Sequence, residues 1–252
     1  MIPFTNGQGL PTRGTLILAI TTKHGVAADS RGTNPASDEM TKIFNCGLTS
    51  FMAVTGHLVI RAEQRTRSGK AQCQGMLNTV EILREIAVTY TGDGGDDLAN
   101  RIKDGMYRRL RPFWELLIEP SPEVFLAGCG GAAFFCEVPI VSLIANRVSI
   151  LVVRFPFSPE GQLLAPVVDQ RFIGSLGRTE EVISWGVAPE YKGIDYQPDS
   201  PAEVLKTISA IYEQTVAAHP DTVGGPVDIG FIGETGAEWL ARKPGAQDLQ
   251  QP

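Results

Sequence analysis

Residues 14–31 read GTLILAITTKHGVAADSR. Thr15 to Thr22 alternates partly and is rich in β-branched residues, as a strand requires. Lys23-His24-Gly25 makes a turn. Val26-Ala27-Ala28 then begins a short return strand that runs into Asp29-Ser30-Arg31. Downstream, Lys42 precedes Ile43, and Leu48 to Thr55 is a second apolar run that stops at Gly56. Strands pair early in this chain, before any helical pattern appears.

Helical periodicity follows. Met76, Val80, Leu83, Ala87 and Tyr90 recur at helix spacing, and so do Leu98, Ile102, Met106 and Leu110. TGDGGDD separates the two patterns, and Asp96 and Asp97 favour the second helix's N-terminal end. Pro112 is expected to kink or end that helix. The apolar stretch from Ala132 to Val153 is interrupted by Glu137, Pro139, Asn146 and Arg147, so it reads as buried strands rather than a membrane span. Val148–Arg154 is a strand, SPEGQ (158–162) a turn, and Leu163–Val168 its expected partner. Ser200-Pro201-Ala202-Glu203 is a capping box that opens a helix carrying Val204, Ile208, Ile211 and Thr215 on one face. DTVGGP ends it, and Val227–Ile232 returns as a strand. Strands and helices in segregated runs imply an α+β fold.

The 252 residues carry 28 acids against 22 bases, a net charge of −6. That balance speaks against a nucleic-acid partner, which usually meets a basic face. Cys46, Cys73, Cys129 and Cys136 are irregularly spaced, no pair forms CxxC, and His24, His57 and His219 are scattered, so neither zinc nor another metal is expected. Reduced thiols suit a cytoplasmic protein. Residues 1–14 lack the apolar run of a secretory signal and read as a loose leader, with a domain over 15–240 and a flexible tail over 241–252. The run from Arg61 to Lys70 holds four bases and one acid and reads as a solvated face or an inserted loop, with an inter-subunit contact as the alternative.

One cluster carries chemistry: Gly14-Thr15, the Asp-Ser-Arg at 29–31, Lys42 and Gly56. A Thr hydroxyl is a poor nucleophile until a base takes its proton. An N-terminal Thr supplies that base as its own α-amino group, whose unperturbed pKa is about 8. A neighbouring Lys lowers the pKa of hydroxyl and amine, and a carboxylate holds the Lys in place. A glycine N–H next to the nucleophile stabilises the oxyanion, worth roughly 3–4 kcal/mol.

Here the sequence resembles a proteasome β-subunit of the N-terminal-nucleophile hydrolase family, in a bacterial-type form. In that family a Gly-Thr bond is cut autocatalytically, a turn Gly follows ten residues after the Thr, and the return strand ends in Asp-Ser-Arg. Gly25 stands ten residues after Thr15, and Lys42 and Gly56 keep the family's interval of fourteen. The AIYEQT helix and GGPVDI strand agree in outline. The likeness covers residues 14–56 well and 200–232 in outline.

The resemblance implies a four-layer αββα sandwich and a threonine-type peptidase, a hydrolase acting in proteolysis. Thr15 would be the nucleophile after loss of 1–14, Lys42 its electrostatic partner, Asp29 the group that orients Lys42, and Gly56 the oxyanion donor. Met40, Phe44 and Val54 would line an apolar substrate pocket. It implies no cofactor, a peptide or unfolded-protein substrate, identical subunits in a ring, no membrane, and an ATPase partner left open.

The family also places a Ser in a turn near the Thr. The matching place is Ser175 in FIGSLG, or the segment at Trp185, which has no Ser. Val223 stands where a second Ser is expected. Two rivals therefore stay open: a catalytically inactive ring or scaffold subunit, and an amidase on a small substrate.

Overall fold

The computed structural model describes residues 4–6, 16–21, 25–31, 41–65, 71–129, 131–145, 147–175, 182–186, 194, 200–220 and 223–244. In chain order the strands begin with β1 (Phe4–Asn6), β2 (Leu16–Thr21), β3 (Gly25–Arg31), β4 (Ile43–Cys46), β5 (Ser50–Ala53), β6 (Thr55–Gly56), β7 (Val59–Arg65) and β8 (Ala71–Asn78). Three helices follow: α1 (Thr79–Thr89), α2 (Gly95–Leu117) and α3 (Pro122–Cys129). Then come β9 (Phe134–Ile144), β10 (Arg147–Pro156), β11 (Val167–Ser175), β12 (Val182–Gly186), α4 (Pro201–Ala218), β13 (Gly224–Gly233) and β14 (Gly236–Ala241). Helices mix with antiparallel sheets, an α+β fold.

Three sheets form. One has the order β12-β2-β3-β13-β14. A second has the order β11-β10-β9-β5-β4, with β6 also pairing β9. The third is β1-β7-β8. The β2–β3 hairpin and the β13 return strand thus fall where the sequence pattern puts them, with β3 starting at Gly25 and β13 at Gly224.

Strand alternation sorts the core. On one face of the β4/β5/β9/β10 sheet, Phe44, Met52, Val54, Val138, Ile140 and Val153 pack with α1 and α2 residues such as Leu83, Leu98, Ile102 and Met106. On its other face, Ile43, Phe51, Val141 and Ile150 pack with Ile232 of β13 and Trp239 of β14. Phe51 and Trp239 meet edge to face at 4.8 Å. A third cluster packs α4 (Val204, Ile208, Ile211) onto Ile229 and Phe231 of β13.

Several local expectations shift. The first helix begins at Thr79, because the Asn78 side chain caps Val80 and Glu81. Met76 belongs instead to β8 and is exposed. Pro112 lies inside α2 and does not end it. It sits on the exposed face, where the carbonyl it leaves without a helical partner can be hydrated. The partner of β10 starts at Val167 rather than Leu163. Pro166 just before it has no N–H to give a ladder. Leu163 makes only an isolated bridge to Phe157.

The capping box at Ser200 and Glu203 is present as read. Residues 4–6, in the expected leader, are a strand on β7. The basic run begins on the β7–β8 hairpin rather than in a plain loop. Among the described residues, no helix is long and apolar enough to cross a membrane.

Candidate active site

Lys42 stands just before β4. The β4–β5 ladder pairs Ile43 with Ala53, and the N–H of Val54 donates to the Lys42 carbonyl at 3.0 Å. The hairpin therefore carries one more rung, with Lys42 level with Val54 and two residues from Gly56. Lys42 is 2% exposed. A buried ammonium is costly to leave uncompensated, and Lys42 does have an interaction partner.

Gly56 ends β6 opposite Cys136, with φ of +102°. A Cβ there would lie 2.6 Å from the Phe135 carbonyl oxygen and 2.8 Å from Cys136 Cα. Both the conformation and the space require glycine. The neighbouring His57 N–H donates to that same Phe135 carbonyl at 2.9 Å, so the segment is tied to β9. Strand β6 also approaches β12, whose Gly186 is paired with Leu16 at the start of β2.

Asp29 holds a central register position. It is opposite Ile17 of β2 on one side and Asp228 of β13 on the other. Strand β3 in turn lies against β4 and β5. Strand β3, bearing Asp29, thus lies against the hairpin that Lys42 opens, while β6, bearing Gly56, pairs β9 and approaches β12. Thr15 and Met40 lie outside the described residues, as do Gly14 and Asp221.

The expected pocket residues Phe44 and Val54 are 3% and 0% exposed. They are packed into the helix-covered core beside Met52, Val138 and Ile140. Ser175 ends β11 and Trp185 lies in β12. Val223, where the resemblance expects a Ser, is fully buried against Val204, Ile208 and Ile229. That position serves the α4 packing.

Two features were not singled out in the sequence. Asp228 is fully buried, with its Oδ1 accepting from the Lys243 backbone N–H at 2.9 Å. The Lys243 ammonium is 3.6 Å from Oδ2, and Arg242 Nε is 3.3 Å from Oδ1. The available signal was a lone acid inside the apolar strand VDIGFI. Cations from the expected tail thus sit beside the row Ile17–Asp29–Asp228. The second feature is a contact of 3.5 Å between Cys129 Sγ and His57 Nε2. Burial lowers the His57 pKa and pushes the Cys129 thiol up to about 11, so the pair is neutral. No sequence rule brings positions 57 and 129 together.

No protein-family model matches this chain, and no curated protein matches it.

Proposed function

We propose that this protein is a proteasome-like threonine peptidase that cuts itself between Gly14 and Thr15. On this reading the two larger sheets face each other, with α1 and α2 outside one and α4 outside the other, as a four-layer αββα sandwich. Thr15 would begin β2. Its freed amine takes the hydroxyl proton, and the hydroxyl oxygen attacks the peptide carbonyl. Lys42 supports the charge that develops, Asp29 orients Lys42, and the backbone at Gly56 receives the oxyanion. The proton on the amine then passes to the leaving amine, and water releases the acyl group.

The observation that carries the reading is Lys42. It is a lysine withdrawn from solvent, level with Val54 and two residues from a glycine whose φ is positive. A lysine serving only as a surface charge has no reason to be 2% exposed.

The test is an intact-mass spectrum of the native chain and of Thr15→Ala, with hydrolysis of fluorogenic peptides by both. Expected are a native chain beginning at Thr15, an uncut variant, and no hydrolysis by the variant. Equal hydrolysis by both would overturn the nucleophile assignment.

A non-catalytic ring subunit is the second reading. The observation favouring it is Val223, a core side chain where active relatives of the proposed kind carry a hydroxyl. It predicts a full-length chain and a ring by light scattering.

A further inference from the structure

The face of the β4/β5/β9/β10 sheet that looks toward β13 changes character along its length. At one end Phe51, Val141 and Ile150 pack with Ile232. Farther along β9 and β10, the ladder pairs Thr55 with Glu137 and Glu137 with Arg154. Residues directly opposite in a ladder share a face, as do residues two apart along a strand. Glu137 and Arg154 therefore lie on the face of Val141 and Ile150, at the end that holds Gly56. Asp169 of β11 pairs with Val152 and shares that face.

Arg154 is fastened there from three sides. Its Nε donates to Glu137 Oε1 at 2.6 Å, and its Nη1 donates to Asp169 Oδ2. Its guanidinium carbon stands 5.2 Å from the centroid of the Phe134 ring. A bulge supplies that ring. Strand β10 pairs Arg154 with Glu137 but Pro156 with Phe134, so β9 carries one residue more. Phe135 and Cys136 both enter the helix-covered core, and Phe134 returns to the face of Glu137. The bulge thus includes Cys136, the residue paired with Gly56.

We propose that Glu137, Arg154 and Asp169 form a subsite for a lysine or arginine side chain of a peptide held at Gly56. One carboxylate would neutralise Arg154, and two leave a negative charge in excess. Side-chain exposure is 12% for Arg154, 24% for Glu137 and 38% for Asp169, so the carboxylates are the more accessible members. Arg154 holds both in place before a ligand arrives, which lowers the ordering cost of binding. The chain's net charge of −6 draws the same ligand from a distance. Arg154 is two strands from Thr55, about 10 Å, a span that one or two residues of extended peptide and a long side chain cover. That the peptide is cut rests on the hydrolase reading; that its cation binds here does not.

The test uses the native full-length protein and three peptides of Thr and Gly with one central Lys, Gln or Glu. Fluorescein on the N-terminus removes the α-amino charge, so the Lys side chain is the only cation. Anisotropy is read by stopped flow before turnover, and hydrolysis is followed in the same mixtures. The Lys peptide should bind about fivefold tighter than the Gln peptide, the scale of one partly exposed charge contact. Asp169→Asn should bring that ratio close to one. Glu115→Gln removes a carboxylate from the exposed pair with Arg111 on α2 and should leave the ratio unchanged. Glu137→Gln/Asp169→Asn leaves Arg154 without either carboxylate, and the preference should turn to the Glu peptide.

Equal native affinity for the Lys and Gln peptides overturns the proposal. So does an equal loss in Glu115→Gln and Asp169→Asn, which assigns the preference to overall charge. A folded double variant that still prefers Lys overturns it as well, and if the double variant does not fold, Asp169→Asn decides alone. Lys-selective binding without hydrolysis leaves this subsite standing and removes the peptidase reading. Hydrolysis at one kcat/KM for all three peptides does the reverse.

Discussion

Asp228 and Lys243 hold each other out of solvent. The Lys243 backbone N–H donates to Oδ1 at 2.9 Å and its ammonium is 3.6 Å from Oδ2, with both side chains buried. Removing one member of such a pair strands the other, typically at about 3–5 kcal/mol. Asp228→Ala leaves two cations without this carboxylate and is expected to destabilise by about 3 kcal/mol in urea denaturation. Lys243→Met keeps the backbone hydrogen bond and the Arg242 contact, so its cost should be smaller. Equal costs would mean that the ammonium, not the backbone, anchors the segment.

Gly56 gives a second prediction because it can be compared with another glycine. Its φ is +102° and an added Cβ would press on backbone at 2.6 Å. Gly131 has φ of +83° with nothing within 4 Å of an added Cβ. Gly131→Ala should cost only the conformational term, about 1–2 kcal/mol. Gly56→Ala adds a backbone clash, which brings it to about 3 kcal/mol or more. Thermal melts of the two variants decide it, and a Gly56→Ala melt no lower than that of Gly131→Ala would show that β9 yields locally.

The second helix of this α+β fold was legible because burial is periodic. Leu98, Ile102, Met106 and Leu110 are all buried, at the helix spacing that named them. The glycines of TGDGGDD were legible as a breaker but not as a fitting. Gly94 has φ of +86°, and a Cβ there would overlap the Ser50 hydroxyl, which bonds Ser142 at 2.8 Å. Such contacts join residues 44 and more positions apart, so no local pattern encodes them. The same holds for the site. Lys42 and Gly56 were singled out by the interval the resemblance implies; the burial of Lys42 and the positive φ of Gly56 are what the structure adds. Asp228 opposite Asp29 depends on which strands meet, and β1 on β7 depends on a pairing some 55 residues long-range.

The cysteines predict a graded thiol reactivity. Burial raises the pKa of Cys46 and Cys136 far out of range and that of Cys129 to about 11. The thiolate is the reactive form, and at pH 8 it is roughly one part in a thousand for Cys129. In a Cys73→Ser background, native labelling should be slow, begin at Cys129, and quicken about tenfold per pH unit up to pH 10. Fast labelling at pH 7 would show that His57 acts as a base toward this thiol.

His57 predicts a pH dependence of stability. Burial lowers its pKa below the unfolded value of about 6.5, with Phe125 and Phe135 rings 5.5 and 5.7 Å away. Below about pH 6.5 the unfolded chain therefore binds a proton that the folded chain resists. Stability rises with pH in that window and is lost as pH falls through it. His57→Gln should flatten this slope in urea titrations between pH 5 and 7. An unchanged slope would place the acid sensitivity elsewhere.

Lys42 separates chemistry from stability. Methionine matches the length of the lysine stem, so Lys42→Met removes the charge and keeps much of the packing. Burying the ammonium has a desolvation cost, and removing it relieves that cost while losing the Lys42 partner, so the melting temperature should move by only a few degrees. If Lys42 lowers the pKa of the Thr15 amine and hydroxyl, peptide hydrolysis should fall by about 10²–10⁴-fold, the usual scale for a positioned proton-transfer partner. The alkaline or acid limb of the pH–rate profile should shift with it. Loss of folding without change in rate per folded molecule would assign Lys42 to the core alone.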